Sequence, residues 1–487
     1  MQRNPTADTA SSANTANTMT ELSRTRQNLI LLVTSIGTIV NPLLGTMIIL
    51  AMPIIGTEFT ISAHDLGWLS TAYILANAIA LVPAAWIVDK IGCRKSYFIG
   101  TLIVGISCLL SIFAPSFSVL LTLRVTAGLG ISFVMITSIA ILTRIFPKSK
   151  RGFVIGINTT MVYVGLTLGP FLGGILADNF GWQSIFIITV PMIVSSGILV
   201  MALLNREFKE PVARFDLIGA LLYSAATFCL MYGLSTITDD FSIVLAGIGL
   251  VIFIIFICYE LREKHPVLHI SLFAKNRRFA RSSYAALLNY AASYAVTYML
   301  SLYLQSVGQL TASEAGLILL VQTLIQVIGT PIAGKLADKM DSKYLATGGM
   351  ILTFIGLLLL SNLGMSGASN RGYLLIIQIF LGIGVAFFSA PNSSTIMSSV
   401  GKKEYSAASS TIAVVRQYGM LISMAICMSA ISICVGSSEV LNESMYGGFA
   451  IALQVSMLIC AGLAVLGTIF SWFRGPEPNI PEEGDDT

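Results

Sequence analysis

Charge is scarce in this chain. Only 11% of its 487 residues are Asp, Glu, Lys or Arg, whereas 55% are hydrophobic, and the mean hydropathy is +0.83. These values exclude an ordinary soluble globular protein, which carries about 25% charged residues. None of the 24 acidic residues lies near the centre of a predicted membrane span, and Asp216 and Glu314, near the starts of two spans, come nearest.

Cysteine and histidine are equally sparse. The seven cysteines stand singly and show no spacing typical of a disulfide framework or a metal site. All three histidines fall in predicted loops, which argues against an intramembrane histidine relay. The predicted spans contain no cluster of nucleophile, base and metal ligands, so we expect no enzyme, no metal and no cofactor. Neither tail is long enough for a sensor domain, which leaves a membrane enzyme or a sensor as remote alternatives.

Long apolar runs are what the chain has in abundance. A membrane-spanning helix needs roughly 20 mostly apolar residues, and helices are required because lipid offers no partner for an open backbone. Fourteen such runs centre near residues 40, 76, 106, 131, 164, 194, 226, 251, 292, 323, 353, 383, 423 and 460. The sequence therefore predicts an all-α polytopic membrane protein with fourteen transmembrane helices, numbered here in chain order.

The basic residues predict the orientation of these helices, because Lys and Arg concentrate on the cytoplasmic side. With a cytoplasmic N-terminus, 25 of the 28 Lys and Arg residues fall in inside segments. Arg371 alone falls in an outside loop, while Arg124 and Arg416 fall within helices. We therefore expect a plasma-membrane protein with both termini in the cytoplasm. The net charge of +4 then reflects orientation, and we expect no nucleic-acid partner.

One charged segment occurs twice. Residues 85–95 read Ala-Trp-Ile-Val-Asp-Lys-Ile-Gly-Cys-Arg-Lys, and residues 334–343 read Gly-Lys-Leu-Ala-Asp-Lys-Met-Asp-Ser-Lys. Each run follows an apolar helix and places an Asp, Asp89 or Asp338, where that helix meets water. Such a repeat indicates two related halves, although a single copy would also suit a basic loop that only orients its helices. The distance between the copies leaves helices 7 and 8 as an extra pair between the halves, with a role in peripheral packing or spacing.

Helices 4 and 5 carry the most specific segments. A buried Arg costs about 2.5 to 3.5 kcal/mol at mid-membrane, so Arg124 in helix 4 needs a partner or a cavity, unless it reaches the outer interface by snorkelling. Helix 5 contains Gly-Leu-Thr-Leu-Gly-Pro-Phe-Leu-Gly-Gly. Glycines four residues apart let a neighbouring helix approach closely, and a proline bends the helix. The residues of this helix-5 motif are Gly165, Gly169, Pro170, Gly173 and Gly174.

The chain resembles a transporter of the major facilitator superfamily, and in particular its fourteen-helix branch of drug:proton antiporters. Four segments carry the resemblance: the loop between helices 2 and 3, the helix-4 motif, the helix-5 motif and an Arg-Gln-x-Gly segment of helix 13. The matching residues outside helix 5 are Asp89, Gly92, Arg94, Lys95, Arg124, Gly128, Gly130, Arg416, Gln417 and Gly419. Gly334 and Asp338 stand in the second copy of the first segment.

This resemblance implies two six-helix bundles that work by alternating access, with export driven by inward proton flow. Asp89 and Asp338 would hold the cytoplasmic gate, and the helix-5 motif would shape the outer seal. The expected organisation is a flexible tail 1–27, a bundle 28–205, the extra helices 206–265, a second bundle 266–474 and an acidic tail 475–487.

Polar side chains inside the helices are the candidates for a substrate wall. Helix 9 places tyrosines four residues apart on one face, and helix 10 does the same with two glutamines. Such stripes are also typical of hydrogen bonds between membrane helices, so both functions stay open. The candidate residues are Asn41, Asn77, Asn158, Tyr163, Asn289, Tyr290, Tyr294, Tyr298, Gln322, Gln326 and Asn392.

Helix 1 departs from the branch. Members of that branch carry an Asp in a segment resembling Leu-Asp-x-Thr-Ile-Val-Asn, where this chain has Leu44, and Ile49 stands in the place of Asn. A buried carboxylate would pair with cationic drugs and exchange protons, whereas Arg124 and the mid-helix Arg416 favour neutral or anionic compounds.

Two functions follow from the sequence. The first is a monomeric exporter of small amphipathic molecules, surrounded by membrane lipid and coupled to protons through Asp89 or a peripheral acid that works with Arg124. The alternative is an exporter or facilitator of a neutral or anionic metabolite without that coupling.

Overall fold

The fold is seen in a computed structural model of the chain. It describes residues 23–208, 216–237, 240–263, 266–337, 339–364, 367, 370–401, 405–436 and 441–475. Most of both predicted tails lies outside these ranges, as does Asp338 of the second charged segment. Every regular element in the described ranges is a helix.

The long helices coincide with the predicted spans and keep their order. Their bounds are α1 Arg24–Phe59, α2 Trp68–Ile91, α3 Cys93–Ser111, α4 Phe117–Ile145, α5 Lys148–Phe180, α6 Gln183–Leu203, α7 Leu217–Ser235, α8 Asp240–Glu260, α9 Arg277–Ser293 continued by Val296–Leu302 and the π-helical turn Tyr303–Val307, α10 Ala312–Ala337, α11 Ser342–Ser361, α12 Arg371–Ser398, α13 Tyr405–Cys434 and α14 Tyr446–Trp472. A short helix, Ala63–Leu66, precedes α2.

Helix α9 is broken inside its predicted span. Thirteen helices of the described chain are long and apolar enough to cross a membrane, and the pieces of α9 together supply the fourteenth predicted span. The break falls at Tyr294 and Ala295, where the Ala295 amide donates to Ser423 Oγ of α13 at 2.9 Å. A side chain that inserts into the helical ladder is a recognised cause of such a break. The chain is thus an all-α polytopic membrane protein, as the sequence predicts.

The helices pack in two groups with the same pattern of neighbours. In the first group α1 packs on α5 and α6, α2 on α4, and α3 on α4 and α6. In the second group α9 packs on α13 and α14, α10 on α12, and α11 on α12 and α14. This repetition is expected for two related halves. We call α1 to α6 the N-terminal half and α9 to α14 the C-terminal half, while the domain limits given above remain predictions.

Helix α7 lies over the seam between the two halves. It packs against α8 and also against α2 and α13. Tyr223 of α7 donates its hydroxyl to Ala78 O of α2 at 3.1 Å, and Ser429 of α13 donates to Leu234 O of α7 at 2.8 Å. Through α7, the extra pair is therefore tied by hydrogen bonds to both halves.

The helix bundle has two ends that the following sections distinguish. We call the end where α1 begins and α14 ends the terminal face. The opposite end, where α5 ends and α10 begins, is the far face. The predicted orientation would make the terminal face cytoplasmic.

Candidate functional site

The charged segment between α2 and α3 is held by an acid that the sequence pattern did not single out. Gly92 has φ +106°, a conformation that favours glycine. Directly after it, the Glu207 carboxylate accepts from the amides of Arg94 at 2.7 Å and Lys95 at 3.3 Å. A carboxylate is favourable there because the first amides of a helix have no partner within the helix and the N-terminus is partly positive. The available signal in the sequence was an acidic residue just after helix 6, in the loop before helix 7.

The hydrogen bonds of Arg94 and Lys95 lie on the side of the N-terminal half. Arg94 Nη2 donates to Met201 O near the end of α6 at 2.7 Å, and Asp89 is half-buried. In the second copy, an added Cβ at Gly334 would meet open space. Because Asp338 lies outside the described residues, the gate formed by Asp89 and Asp338 across the two halves stays a prediction.

The glycines of the helix-5 motif lie against two neighbouring helices. An alanine Cβ at Gly165 would lie 2.7 Å from Ile39 O, and one at Gly173 would lie 2.6 Å from Met47 Cα, both on α1. Gly169 faces α1 in the same way, against Thr46. A Cβ at Gly174, in contrast, would overlap the backbone at the start of α10. The motif therefore packs α5 against α1 within one half and against α10 of the other half.

Arg124 is deeply buried in the N-terminal half, with 1% of its surface exposed. Its Nε donates to Leu69 O of α2 at 3.0 Å, and its guanidinium lies 4.3 Å from the centre of the Tyr73 ring. Nη1 and Nη2 have no hydrogen-bond partner among the described residues. Snorkelling is therefore not how this arginine is accommodated. The Tyr73 hydroxyl donates to Asn41 Oδ1 at 2.6 Å, so Tyr73 links the predicted site residue Asn41 to Arg124.

Arg416 lies where the two halves meet. Its guanidinium is 5.4 Å from the centre of the Tyr290 ring of α9, and the hydroxyls of Tyr290 and of Tyr163 on α5 are within electrostatic range. All three side chains are half-buried. We call Arg416, Tyr290 and Tyr163 the central cluster. Its residues come from one helix of the N-terminal half and two helices of the C-terminal half, and its rings and cation suit flat or electron-rich molecules.

The candidate amides lie in separate places. Asn289 Nδ2 donates to Met350 Sδ at 3.0 Å inside the C-terminal half, and Asn392 lies near the terminal face. Asn158 donates to a threonine of α1 at 2.9 Å. Asn77 is buried beside a methionine of α4, 3.7 Å from its sulfur. Each of these contacts links two helices, and the part of these amides in a substrate wall stays a prediction.

The tyrosines of α9 do not share a single role. Tyr290 belongs to the central cluster, whereas Tyr294 exchanges a hydrogen bond with a serine of α2 at 3.3 Å. Tyr298 is fully buried and donates to Ala63 O at 2.5 Å. On α10, Gln322 is buried and Gln326 is half-buried. The break in α9 falls between Tyr290 and Tyr298, yet Tyr294 and Tyr298 both bond to residues of the N-terminal half, and their part in a substrate wall stays a prediction.

Arg474, just after α14, is a buried cation that the sequence pattern missed. Its Nη atoms donate to Asn392 Oδ1 at 2.7 Å, Ser471 Oγ at 2.9 Å and Thr395 Oγ1 at 3.1 Å. Burial, together with the nearby Arg278, lowers the pKa of Arg474 to about 10. It therefore stays charged at neutral pH, and its hydrogen bonds hold α14 against α12.

Several hydrogen bonds between described residues of the two halves lie toward the far face. Besides Tyr298, Ser301 of α9 donates to Ile49 O of α1 at 3.3 Å. At a more central level, Thr167 of α5 donates to Thr323 O of α10 at 3.2 Å. We call the contacts of Tyr298, Ser301 and Thr167 with the opposite half the far-face seal.

The chain matches the model of the Major Facilitator Superfamily over residues 34–216 and 283–486. The unmatched stretch between these ranges contains α7 and α8. The protein therefore belongs to the major facilitator superfamily. The proteins it matches are transporters, so this chain is a multi-pass membrane transporter rather than an enzyme.

Several relatives are similar over most of their length. The riboflavin transporter RibZ of Clostridioides difficile (strain 630) is 29% identical over 457 residues, which are 91% of this chain and 97% of that protein. The multidrug resistance protein Stp of Mycobacterium tuberculosis (strain CDC 1551 / Oshkosh) is 29% identical over 83% of this chain and 76% of its own length. The tetracenomycin C resistance and export protein of Streptomyces glaucescens is 25% identical over 76% and 69%.

Solved structures support the fold. A bacterial homolog of the human lysosomal transporter Spinster, in an inward-facing and unoccupied conformation, has a TM-score of 0.69 at 17% identity, covering 93% of this chain and 98% of that one. A D-xylose-proton symporter has a TM-score of 0.64 at 14% identity over 92% and 98%.

Proposed function

We propose that this transporter is a secondary active exporter of small amphipathic molecules that works by alternating access. The central cluster is the observation that carries this proposal. Because Tyr163 belongs to one half and Tyr290 and Arg416 to the other, a molecule bound there would touch both rocking halves. The names of the relatives support the substrate class, since riboflavin and tetracenomycin C transport are attributed to two of them.

Coupling to protons is the second part of the proposal. The exporter would work as a proton antiporter of the fourteen-helix branch, as a monomer in the plasma membrane with its terminal face in the cytoplasm. Arg124 and Asp89 are the residues we assign to coupling. Arg124 supports the assignment because it is buried and its Nη atoms have no hydrogen-bond partner among the described residues. Burying such a cation lowers the stability of the protein, which favours a role for it in the transport cycle.

An exporter of neutral or anionic metabolites without proton coupling is the second candidate. The described acidic residues of the spans, among them Asp89, Asp178 and Glu314, lie at helix ends. A cationic substrate would therefore find two arginines, Arg124 and Arg416, and no carboxylate at mid-span. This distribution favours neutral or anionic compounds whichever way transport is driven.

The test uses proteoliposomes with an imposed pH gradient and a lumenal pH dye. Riboflavin, a cationic dye and an anionic dye are added in turn, and uptake of each compound is measured in parallel. Antiport predicts that a transported compound dissipates the gradient faster than in empty liposomes. Transport without any change in lumenal pH would instead support the second candidate.

Variants test the central cluster directly. Arg416→Gln should reduce transport strongly because it removes the cation that faces Tyr290, and Tyr290→Phe should reduce it less because the ring remains. Arg277→Gln, an exposed arginine at the start of α9, is the matched control and should transport normally. Unchanged transport by Arg416→Gln would refute the assignment of the cluster.

A further inference from the structure

The residues at the start of α10 cap only some of the free amides of its first turn. Glu314 N–H donates to Thr311 Oγ1 at 3.2 Å, and Thr311 N–H donates to Glu314 Oε2 at 3.2 Å, which is a capping box. The amides between them, of Ala312 and Ser313, belong to the first turn, where no carbonyl of the same helix can accept. Another element must satisfy them.

That element is the last turn of α5. The Asp178 carboxylate accepts from the Ala312 amide at 3.1 Å and from the Ser313 amide at 2.6 Å. Hydrogen bonds to a charged acceptor are stronger than neutral ones, and the partly positive end of α10 favours the same charge. Since α5 belongs to the N-terminal half and α10 to the C-terminal half, these bonds cross between the halves at the far face.

The backbone around Asp178 is built for this contact. One turn earlier, a Cβ at Gly174 would overlap Ala312 O, and on α10 a Cβ at Gly316 would overlap Pro170 O. Both glycines therefore let the two helix backbones touch, which brings the Asp178 carboxylate within reach of the amides. The last Gly and the Pro of the helix-5 motif thus face α10, whereas Gly173 faces α1.

We propose that Asp178 is the positioning residue that holds the far-face seal closed, and that its release from α10 is an obligatory step of opening. The proposal rests on the alternating-access cycle proposed above. In the opposite state α5 and α10 must part at this end, which leaves the Ala312 and Ser313 amides to water. The two bonds therefore set part of the free-energy difference between the sealed and the open state.

Hydrogen–deuterium exchange on the full-length protein in lipid nanodiscs tests this proposal. Asp178→Asn keeps the shape of the side chain and removes its charge. We expect about tenfold faster exchange, equivalent to about 1.4 kcal/mol, in two windows. One is the start of α10, residues 312–316, and the other is the distant part of the seal, residues 296–302. Asn179→Ala is the matched control, because among the described residues the Asn179 side chain on the same turn donates only to Ile175 O of its own helix, at 2.8 Å.

Exchange in the two windows distinguishes between two roles of Asp178, a lock on the far-face seal and a cap of α10. Faster exchange in both, with the control unchanged, supports a lock on the seal. If Asp178→Asn speeds exchange in residues 312–316 alone, Asp178 only caps α10. If exchange changes in neither window, Asp178 stabilises neither α10 nor the seal. Either result overturns the proposal. Because exchange requires no substrate, a failure of the exporter assignment would appear in the transport assay and not here.

Discussion

Replacing Gly173 with alanine is expected to push α1 and α5 apart. The added methyl would lie 2.6 Å from Met47 Cα and 2.8 Å from Met47 O, whereas carbon atoms in contact sit about 3.5–4.0 Å apart. The helices must therefore separate by about 1 Å. Overpacking of this kind costs about 1–3 kcal/mol of folding free energy.

Gly156→Ala, on the same helix, is the matched control. Nothing lies within 4 Å of a Cβ at Gly156, so the change adds helix propensity, a gain of up to about 1 kcal/mol. The two variants should thus differ by about 1–4 kcal/mol, or roughly 5- to 900-fold in the unfolding equilibrium.

The assay is unfolding of the purified protein in mixed micelles with increasing dodecyl sulfate, followed by the fluorescence of its four tryptophans. Gly173→Ala should unfold at the lower dodecyl sulfate fraction. Equal midpoints for Gly173→Ala and Gly156→Ala would refute the close contact between α1 and α5 as the reason for this glycine.

Three further outcomes are expected. Arg124→Met should raise the free energy of unfolding by about 1 kcal/mol or more, because an apolar side chain replaces an arginine with unpartnered Nη atoms; transport should be lost. Arg474→Met should instead lower the free energy of unfolding by about 2–3 kcal/mol, because it breaks three hydrogen bonds. The same micelle titration measures both, and equal signs would contradict the argument. Glu207→Gln should speed exchange of the first amides of α3 severalfold, equivalent to about 1 kcal/mol, with Glu443→Gln as a control that leaves α3 unchanged. Gly174→Ala should expose residues 296–302 to exchange, since its methyl would overlap the start of α10; protection equal to the wild type would count against that packing.

The sequence determined the class of protein and the position of its helices. Apolar runs of about 20 residues leave the backbone one way to cross lipid, so the fourteen spans could be read directly. The repeat around Asp89 predicted two halves, and the helix-5 glycines predicted close helix packing. These features are local, because each depends on residues near one another in the chain.

The tertiary structure alone decided which side chain faces which neighbour. Helices that are apolar all round show no face that must turn inward, so the sequence could not show that Tyr290 lies beside Arg416 while Tyr298 bonds to Ala63. Nor could the sequence show that Asp178 contacts the start of α10 or that Glu207 contacts the start of α3, because each carboxylate caps a helix more than 100 residues away in the chain. Such contacts depend on how whole helices pack, which local spacing does not record.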